Sequence, residues 1–530
     1  MRKNHILLFL IVFIGTNFFV NGQTVLINPT GDGGFVNGST FASNGWTVAN
    51  SANNPWVIGT AVTTSPMSGN VAYVSNNSGA ANAYTVTTAS VNYFYRDVTI
   101  PAGETKILLT FNWTCNGEST YDAWQLFIAP TSVTPTATTT SASTMTTTLI
   151  PAGVSGATFI AYGNLATTVQ TANYVLPVSL AGTTFRLIFA WRNDASGGTA
   201  PPAAIDNISL TSAIPSPLSG GSYTINNTQP TSGSNFTSFT DFANKITQDG
   251  ISGPVIANVV AGTGPYTEQV SFGVVNGSNS TNTVTVNGNG NILQYLSTNS
   301  IERATLKLNG SDYIKFDNLI IKSLGSTTTE FGYGVWLLNE ANYNTINNCQ
   351  ILTDIATTST NYSPLVSALF PSSPTTSALY KSSSNLTVSN CTIVGGYYGI
   401  LLNGPNASPW STTNVITNNE IRDFYTYGLY IRGQDNSVFS GNSIHRTNRT
   451  ASTTASMFYL NLNISNTSIT KNKIYNFAGS GSTTSASYGI YATSVTSPAN
   501  EGVLIANNAI YGYSLMNGTQ YGIYLGTTGY

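Results

Sequence analysis

Five short stretches of this 530-residue chain open on Tyr-Gly and continue with apolar residues: YGVWLL at 333, YGILLN at 398, YGLYIR at 427, YGIYAT at 488 and YGIYLG at 521, with MFYLNL at 457 as a degenerate copy. Alternate side chains of a strand face opposite sides. With Val335, Ile400, Leu429, Ile490 and Ile523 inward, Trp336, Leu401, Tyr430, Tyr459, Tyr491 and Tyr524 form one outward column. Two residues further on, Leu338, Asn403, Arg432, Asn461, Thr493 and Gly526 form another. The chemistry on offer is non-covalent: flat aromatic faces with polar edges suit sugar rings. Trp336, Tyr430, Tyr459, Tyr491 and Tyr524 are therefore candidate ligand contacts, with Arg432 beside them. The competing use is structural, aromatic neighbours steadying exposed strands by packing on one another.

Bond-breaking chemistry is harder to place. Glycoside hydrolysis takes two carboxyl groups facing one substrate, and a calcium-assisted lyase needs several to hold the ion. Neither outward column contains a carboxylate, so no catalytic residue is assigned. In PPAAIDNISL the alternation puts Asp206 on the inward side with Ile208 and Leu210, where an acid is costly unless paired. Its partner is either a backbone amide or Arg192, or a structural calcium ion shared with Asp32 of GDGGF or with Glu118 and Asp122. No other cofactor is required. The chain has two His and three Cys and lacks a CxxC pair, so zinc has no ligand set.

The elements that position these residues are strands. Charged residues are 7% of the chain, the net charge is -2, and no basic cluster follows Arg2 and Lys3, which speaks against nucleic-acid binding. The start, with ILLFLIVFIG and small residues at Val20 and Gly22, has the pattern of an export signal over 1–22. A secreted or outer-surface protein with no membrane span in the mature chain is expected. From 24 to 212 several runs alternate strictly, such as KILLTFNWTC, with Ile107, Leu109, Phe111, Trp113 and Cys115 on one side, and FRLIFAWRND, with Phe185, Leu187, Phe189 and Trp191. Each strand should have one core face and one wet face, and Cys115 should be a buried, inert thiol. A Thr/Ser tract at 131–149 is a long loop or edge, and 213–235 is a linker. SFTDFANKITQDG is the one convincing helix after the signal, with Thr240 or Asp241 as cap and Gly250 as its end. It suits a lid on a solenoid end.

From 312 a repeat appears. Aligned on one isoleucine (Ile321, Ile351, Ile393, Ile421, Ile444, Ile474, Ile510), an apolar residue stands five before it: Phe316, Ile346, Val388, Ile416, Phe439, Ile469, Ile505. Two before it stand Leu319, Cys349, Cys391, Asn419, Asn442, Asn472 and Asn508. The offset of five is odd, so a turn must lie between the apolar columns. Asn tolerates the left-handed backbone of such a turn and can bond to the same amide one coil away. Asn419, Asn442, Asn472 and Asn508 should form a ladder, with Cys349 and Cys391 as stand-ins, either stacked thiols or a bond between coils. The same register sets Arg422 beside His445 and Asp423 beside Arg446. Together with Glu420, Arg432 and Asp435 these read as a surface ion-pair network.

Two strand signals per period of about 30 residues indicate a parallel β-solenoid. From about 230 to 530 the chain resembles the right-handed parallel β-helix, the pectin-lyase-like fold, and 236–530 is assigned to it, with YGIYLGTTGY ending on a strand signal as though more followed. GDGGFVNGSTFASNGWTV, GESTYDAW and FAWRNDASGGTAPPAAIDNISL resemble MAM or cleaved-adhesin jelly-roll modules of secreted Bacteroidetes proteins, which implies adhesion or binding. The expectation is an all-β chain, a jelly-roll sandwich followed by the β-helix, serving as a surface protein that binds a polysaccharide or surface glycan. The alternatives are a polysaccharide lyase or glycoside hydrolase whose acids come from loops, such as the insertion between Ile351 and Val388, and a structural stalk without ligand.

Overall fold

The computed structural model describes residues 22–526 except 119–120, 141–149, 300–301, 368–381, 406–407, 452–453, 478–485, 494–501 and 513–517. The export signal lies outside the described residues, as does 141–149 of the Thr/Ser tract. The chain forms two units, dividing after Pro215.

The first unit is an antiparallel sandwich of a six-stranded and a five-stranded sheet. Its core is the expected one: Ile107, Leu109, Phe111, Trp113 and Cys115 of Lys106–Cys115 meet Phe185, Leu187, Phe189 and Trp191 of Thr184–Asn193. Phe94 and Phe189 stack at 4.9 Å across this interior. Cys115 is buried and free, and burial pushes its thiol well up, so it is inert as expected. The expectation of one wet face fails for the five-stranded sheet. Tyr93, Phe127, Ile188 and Ala190 on its other face form a second apolar cluster with Val154 and Ala157, against which Val133 and Ala137 pack. The chain after Ala123–Pro130 folds back over this face and removes it from water, which alternation within the strands cannot reveal.

The second unit is a parallel solenoid with three long sheets of eleven, nine and nine strands, plus a short three-stranded sheet at one corner. It begins inside the segment read as a linker: Gly221–Ile225 already pairs in parallel with Val255–Val259. The helix Phe239–Asp249 buries Phe239, Phe242, Ala243 and Ile246 against the solenoid core. Its cap is neither Thr240 nor Asp241. Ser238 accepts from the Asp241 N–H, and the Glu268 carboxylate accepts from the N–H groups of Phe239 and Thr240 at 3.0 and 2.9 Å. An acid there satisfies orphan donors and opposes the positive end of the helix dipole.

The aligned residues are in register across all seven coils. The column from Phe316 to Ile505 runs along the first sheet and the isoleucine column along the second. Between them the ladder exists: Nδ2 of Asn419, Asn442 and Asn472 donates to Oδ1 of the next asparagine at 2.9 to 3.0 Å. Each Oδ1 also accepts the backbone N–H one coil earlier, and each Nδ2 also donates to a carbonyl such as Val388 or Ile416. The left-handed turn residue is one position before the ladder: Asn318, Asn348, Asn390, Asn418, Gly441, Lys471 and Asn507 all have positive φ. The ladder residue is thus selected for its inward amide and its neighbour for backbone conformation, two roles the sequence reading had merged. Cys349 and Cys391 are free, buried, stacked thiols, and the Cys349 N–H points at Cys391 Sγ at 3.4 Å.

Replacing Asn442 by Ala leaves the buried Asn419 N–H and Ile416 carbonyl without their partner and removes one bond from each of the Asn419 and Asn472 amides, so urea unfolding should show a loss of about 3 kcal/mol. Cys391→Ala, which removes a small apolar volume and only a weak sulfur acceptor of the Cys349 N–H, should lose less than half as much.

Candidate functional site

The third sheet carries the Tyr-Gly stretches. Its register aligns Lys307, Trp336, Val366, Leu401, Tyr430, Tyr459, Tyr491 and Tyr524 as successive partners. Val366 belongs to Tyr362–Ser367, a coil hidden in the insertion after Ile351 that has no Tyr-Gly to announce it.

The glycines build a second column that alternation does not anticipate. The pairing steps over Gly399 and Gly428, from Tyr398↔Tyr427 to Ile400↔Leu429. A Cβ at Gly428 would lie 2.4 Å from the Met457 carbonyl oxygen, and one at Gly399 2.6 Å from that of Gly428. Only glycine permits that approach. The bend brings Tyr(i) and Tyr(i+3) to one side: Tyr427 touches Tyr430 at 5.5 Å, Tyr488 touches Tyr491 at 4.2 Å and Tyr521 touches Tyr524 at 4.8 Å. Strict alternation would have placed each pair on opposite faces, and the recurrent YGxY spacing was the available signal.

The two columns differ in ring orientation. In the first, Tyr398 and Tyr427 are 11° from parallel and Tyr488 and Tyr521 are 5° from parallel, so each ring covers its neighbour's face. In the second, the angles are 54° for Tyr430 and Tyr459, 45° for Tyr459 and Tyr491, and 63° for Tyr491 and Tyr524. Tilted pairs meet edge to face, so less of each ring face is covered by its column neighbour than in a stack. Exposure then divides the column along its length. Trp336 and Tyr430 are each 4% exposed, within an outer apolar cluster that includes Tyr333, Val366, Tyr398 and Leu401. Tyr459, Tyr491 and Tyr524 are half-buried. Arg432 is buried beside Asn403. Burial raises the phenol pKa of Tyr398, Tyr427, Tyr430 and Tyr491, so these hydroxyls remain neutral donors. No carboxylate stands in either column.

The acidic and basic group on the neighbouring face is partly as expected. Arg422 and His445 are register partners, Arg422 pairs with Asp423 at 2.7 Å, and His445 Nε2 lies 3.3 Å from Glu420. It is not a surface network, because Asp423 and Arg446 are fully buried. Arg446 donates to the carbonyls of Phe424, Phe477 and Ala451, and burial lowers its pKa to about 10. Arg449, which the sequence did not single out, clamps the carbonyls of Ile355 and Thr357. Arg432 and Asp435 stand apart, Asp435 accepting from Ser465 and Asn466. These residues close turns.

In the sandwich, Asp32 accepts from the Asn28 N–H and is paired with Arg96. Asp206 is 1% exposed; Oδ2 accepts weakly from the Ser68 N–H, while Oδ1 has no hydrogen-bond partner. Burial raises its pKa to about 7. The two do not share a group of three acidic, His or Cys ligands; among the described residues that arrangement occurs only at Glu118, Asp122 and Asp194. There Tyr84 donates to Asp122 at 2.7 Å, and burial raises Asp122 to about 6. Asp194 was not foreseen, since it lies in the loop after Thr184–Asn193.

Residues 370–529 match the family model described as right handed beta helix region. No curated protein matches the chain. Among solved structures it is similar to the catalytic domain of a GH87 alpha-1,3-glucanase in complex with nigerose, at 13% identity and a TM-score of 0.17, covering 91% of this chain and 98% of that one. A variant of that domain in complex with tetrasaccharides matches at 14% identity and a TM-score of 0.17, covering 90% and 98%. At these scores the likeness extends to no residue of this chain. No helix among the described residues is long and apolar enough to cross a membrane.

A buried carboxyl whose pKa is raised binds a proton on folding, so its contribution to stability is greatest at low pH and declines as pH rises from the ordinary carboxylate value to about 7. Asp206→Asn should therefore raise the thermal midpoint at about pH 8 and flatten its decline toward that pH. An Asp206 that held calcium would behave oppositely: the variant, and chelation of the parent, would both lower the midpoint.

Proposed function

We propose that the chain is an exported surface protein whose solenoid binds a neutral glycan lengthwise, along the half-buried part of the tyrosine face. The observation that carries this is the contrast between the columns. Stacked rings, as in Tyr488 and Tyr521, are what strand stabilisation alone requires. Along the second column successive rings are tilted instead, at 45° between Tyr459 and Tyr491 and 63° between Tyr491 and Tyr524, and although Tyr491 rests one face on Tyr488, all three remain half-buried rather than enclosed.

The coils repeat at about the spacing of parallel strands, ~4.8 Å, so the rings recur along the solenoid axis and suit a polymer better than a single sugar. The ligand is expected to be uncharged. Among the described residues Arg432, beside these tyrosines, is buried, and Lys307 at the far end of the column is paired with Glu302. Trp336 and Tyr430 serve as the closed base of the column rather than as contacts. The hydrolase or lyase alternative would need facing carboxyl groups, which this sheet does not supply among its described residues.

On an array of neutral and acidic oligosaccharides the parent should bind neutral chains. Tyr491→Ala and Tyr524→Ala should each weaken binding about tenfold, the loss expected for one stacking ring, with little change in unfolding midpoint. Unchanged binding in both variants would sink the reading, and release of new reducing or unsaturated ends from the same glycans would replace it with the enzymatic one.

A further inference from the structure

We propose that Thr493, and Asn461 one coil before it, are positioning residues that set the tilt of the tyrosine column; the consequence for ligand rests on the binding reading above, but the tilt itself does not. Each sits two residues beyond a column member and reaches back one coil. Asn461 Nδ2 donates to the Tyr430 hydroxyl at 2.6 Å, and Thr493 Oγ1 donates to the Tyr459 hydroxyl at 3.0 Å. The orientation of Asn461 is fixed from its other end, because Oδ1 accepts the N–H of Leu462 at 2.9 Å. The amide nitrogen therefore has to face the phenol, and Tyr430 is held as an acceptor.

The structure contains its own control. The same position one coil on is Gly526, which has no side chain to reach Tyr491. Tyr491 lies flat against Tyr488, 4.2 Å away and 12° from parallel. Tyr430 and Tyr459, which have the tether, stand at 83° and 31° to Tyr427, the member of the first column that both touch. Among the described residues Tyr398 and Tyr488 of the first column receive no such bond, and they stack on Tyr427 and Tyr521. At Tyr430 and Tyr459, where the neighbouring coil supplies a donor, the ring stands off its first-column neighbour, and at Tyr491, where Gly526 supplies none, it settles onto Tyr488; Tyr524, at 64° to Tyr521, has no described coil beyond it and lies outside the comparison. A single hydrogen bond is comparable in strength to the preference of one aromatic pair geometry over another, so the tether is strong enough to decide.

Thr493→Val keeps shape and removes the donor, Thr493→Ser keeps the donor, and Asn461→Leu tests the earlier rung. In protein labelled selectively at tyrosine rings, nuclear Overhauser contacts between Tyr459 and Tyr427 should strengthen in Thr493→Val and stay at the parent level in Thr493→Ser. Unaltered Tyr459 contacts in Thr493→Val overturn the proposal whatever happens to ligand. Binding is read separately with gluco-, xylo- and manno-hexasaccharides. Thr493→Val should lose about tenfold in affinity at an unchanged unfolding midpoint, and Thr493→Ser should retain it. A ring that moves without change in affinity, in a parent that binds, overturns the positioning role for the ligand. A parent that binds none of the three overturns the binding reading and leaves the ring measurement to decide the tilt.

Discussion

Every feature of the second unit depends on one constraint: each coil must repeat the one below it in register while turning its backbone through sharp corners. A corner exposes peptide groups to an apolar interior, where an unpaired donor or acceptor costs far more than a typical hydrogen bond returns. The inner asparagines remove that cost. One carboxamide satisfies two peptide groups of the preceding coil and bonds both its neighbours in the ladder, as Asn442 does with the Asn419 N–H and the Ile416 carbonyl between Asn419 and Asn472. The bond is available only if the coils do not slip, so the ladder fixes register as well as contributing stability. A second inner series at another corner, where Asn414 Oδ1 accepts the Leu386 N–H and Ser437 Oγ accepts the Asn414 N–H, works in the same way.

With register fixed inside, the outside is fixed too. Any outward residue lies one strand spacing from its equivalents above and below, which is why single aromatic residues become columns. The Tyr-Gly step adds to this. Because the glycines let the backbones of adjacent coils approach, Tyr(i) and Tyr(i+3) are brought to one face, and two columns stand side by side where alternation allows one. Their different ring geometries follow from what the next coil places beside each hydroxyl.

Much of this was legible beforehand. The columns of apolar residues, the ladder and the outward tyrosines of the second column follow from periodicity alone, because in a solenoid a sequence repeat is a spatial contact. The misreadings share a cause, which is that a residue's surroundings come from outside its own repeat. Tyr430 is outward and yet closed off; Tyr93 and Ile188 are on an expected wet face that the following chain covers; Asp194 approaches Glu118 and Asp122 through a loop. Tyr427 and Tyr488 were missed for a different reason, since the bend at glycine breaks the period of two on which the reading relied.

The composition follows from the same geometry. Like charges directly opposite in adjacent strands repel, and a solenoid repeats that opposition at every coil. Among the described strands no two acids and no two Lys or Arg residues are register partners. Lys315 has Thr285 and Thr345 beside it, Asp317 has Asn287 and Asn347, and Glu420 has Thr392 and Ser443. The nearest exception, Arg422 against His445, is bridged by Glu420. A chain under this rule fills its outer columns with Ser, Thr, Asn and Tyr. A face built that way has hydroxyl groups, amides and aromatic edges to offer a ligand and almost no charge, so the same constraint that holds the coils together narrows the class of molecule they can recognise.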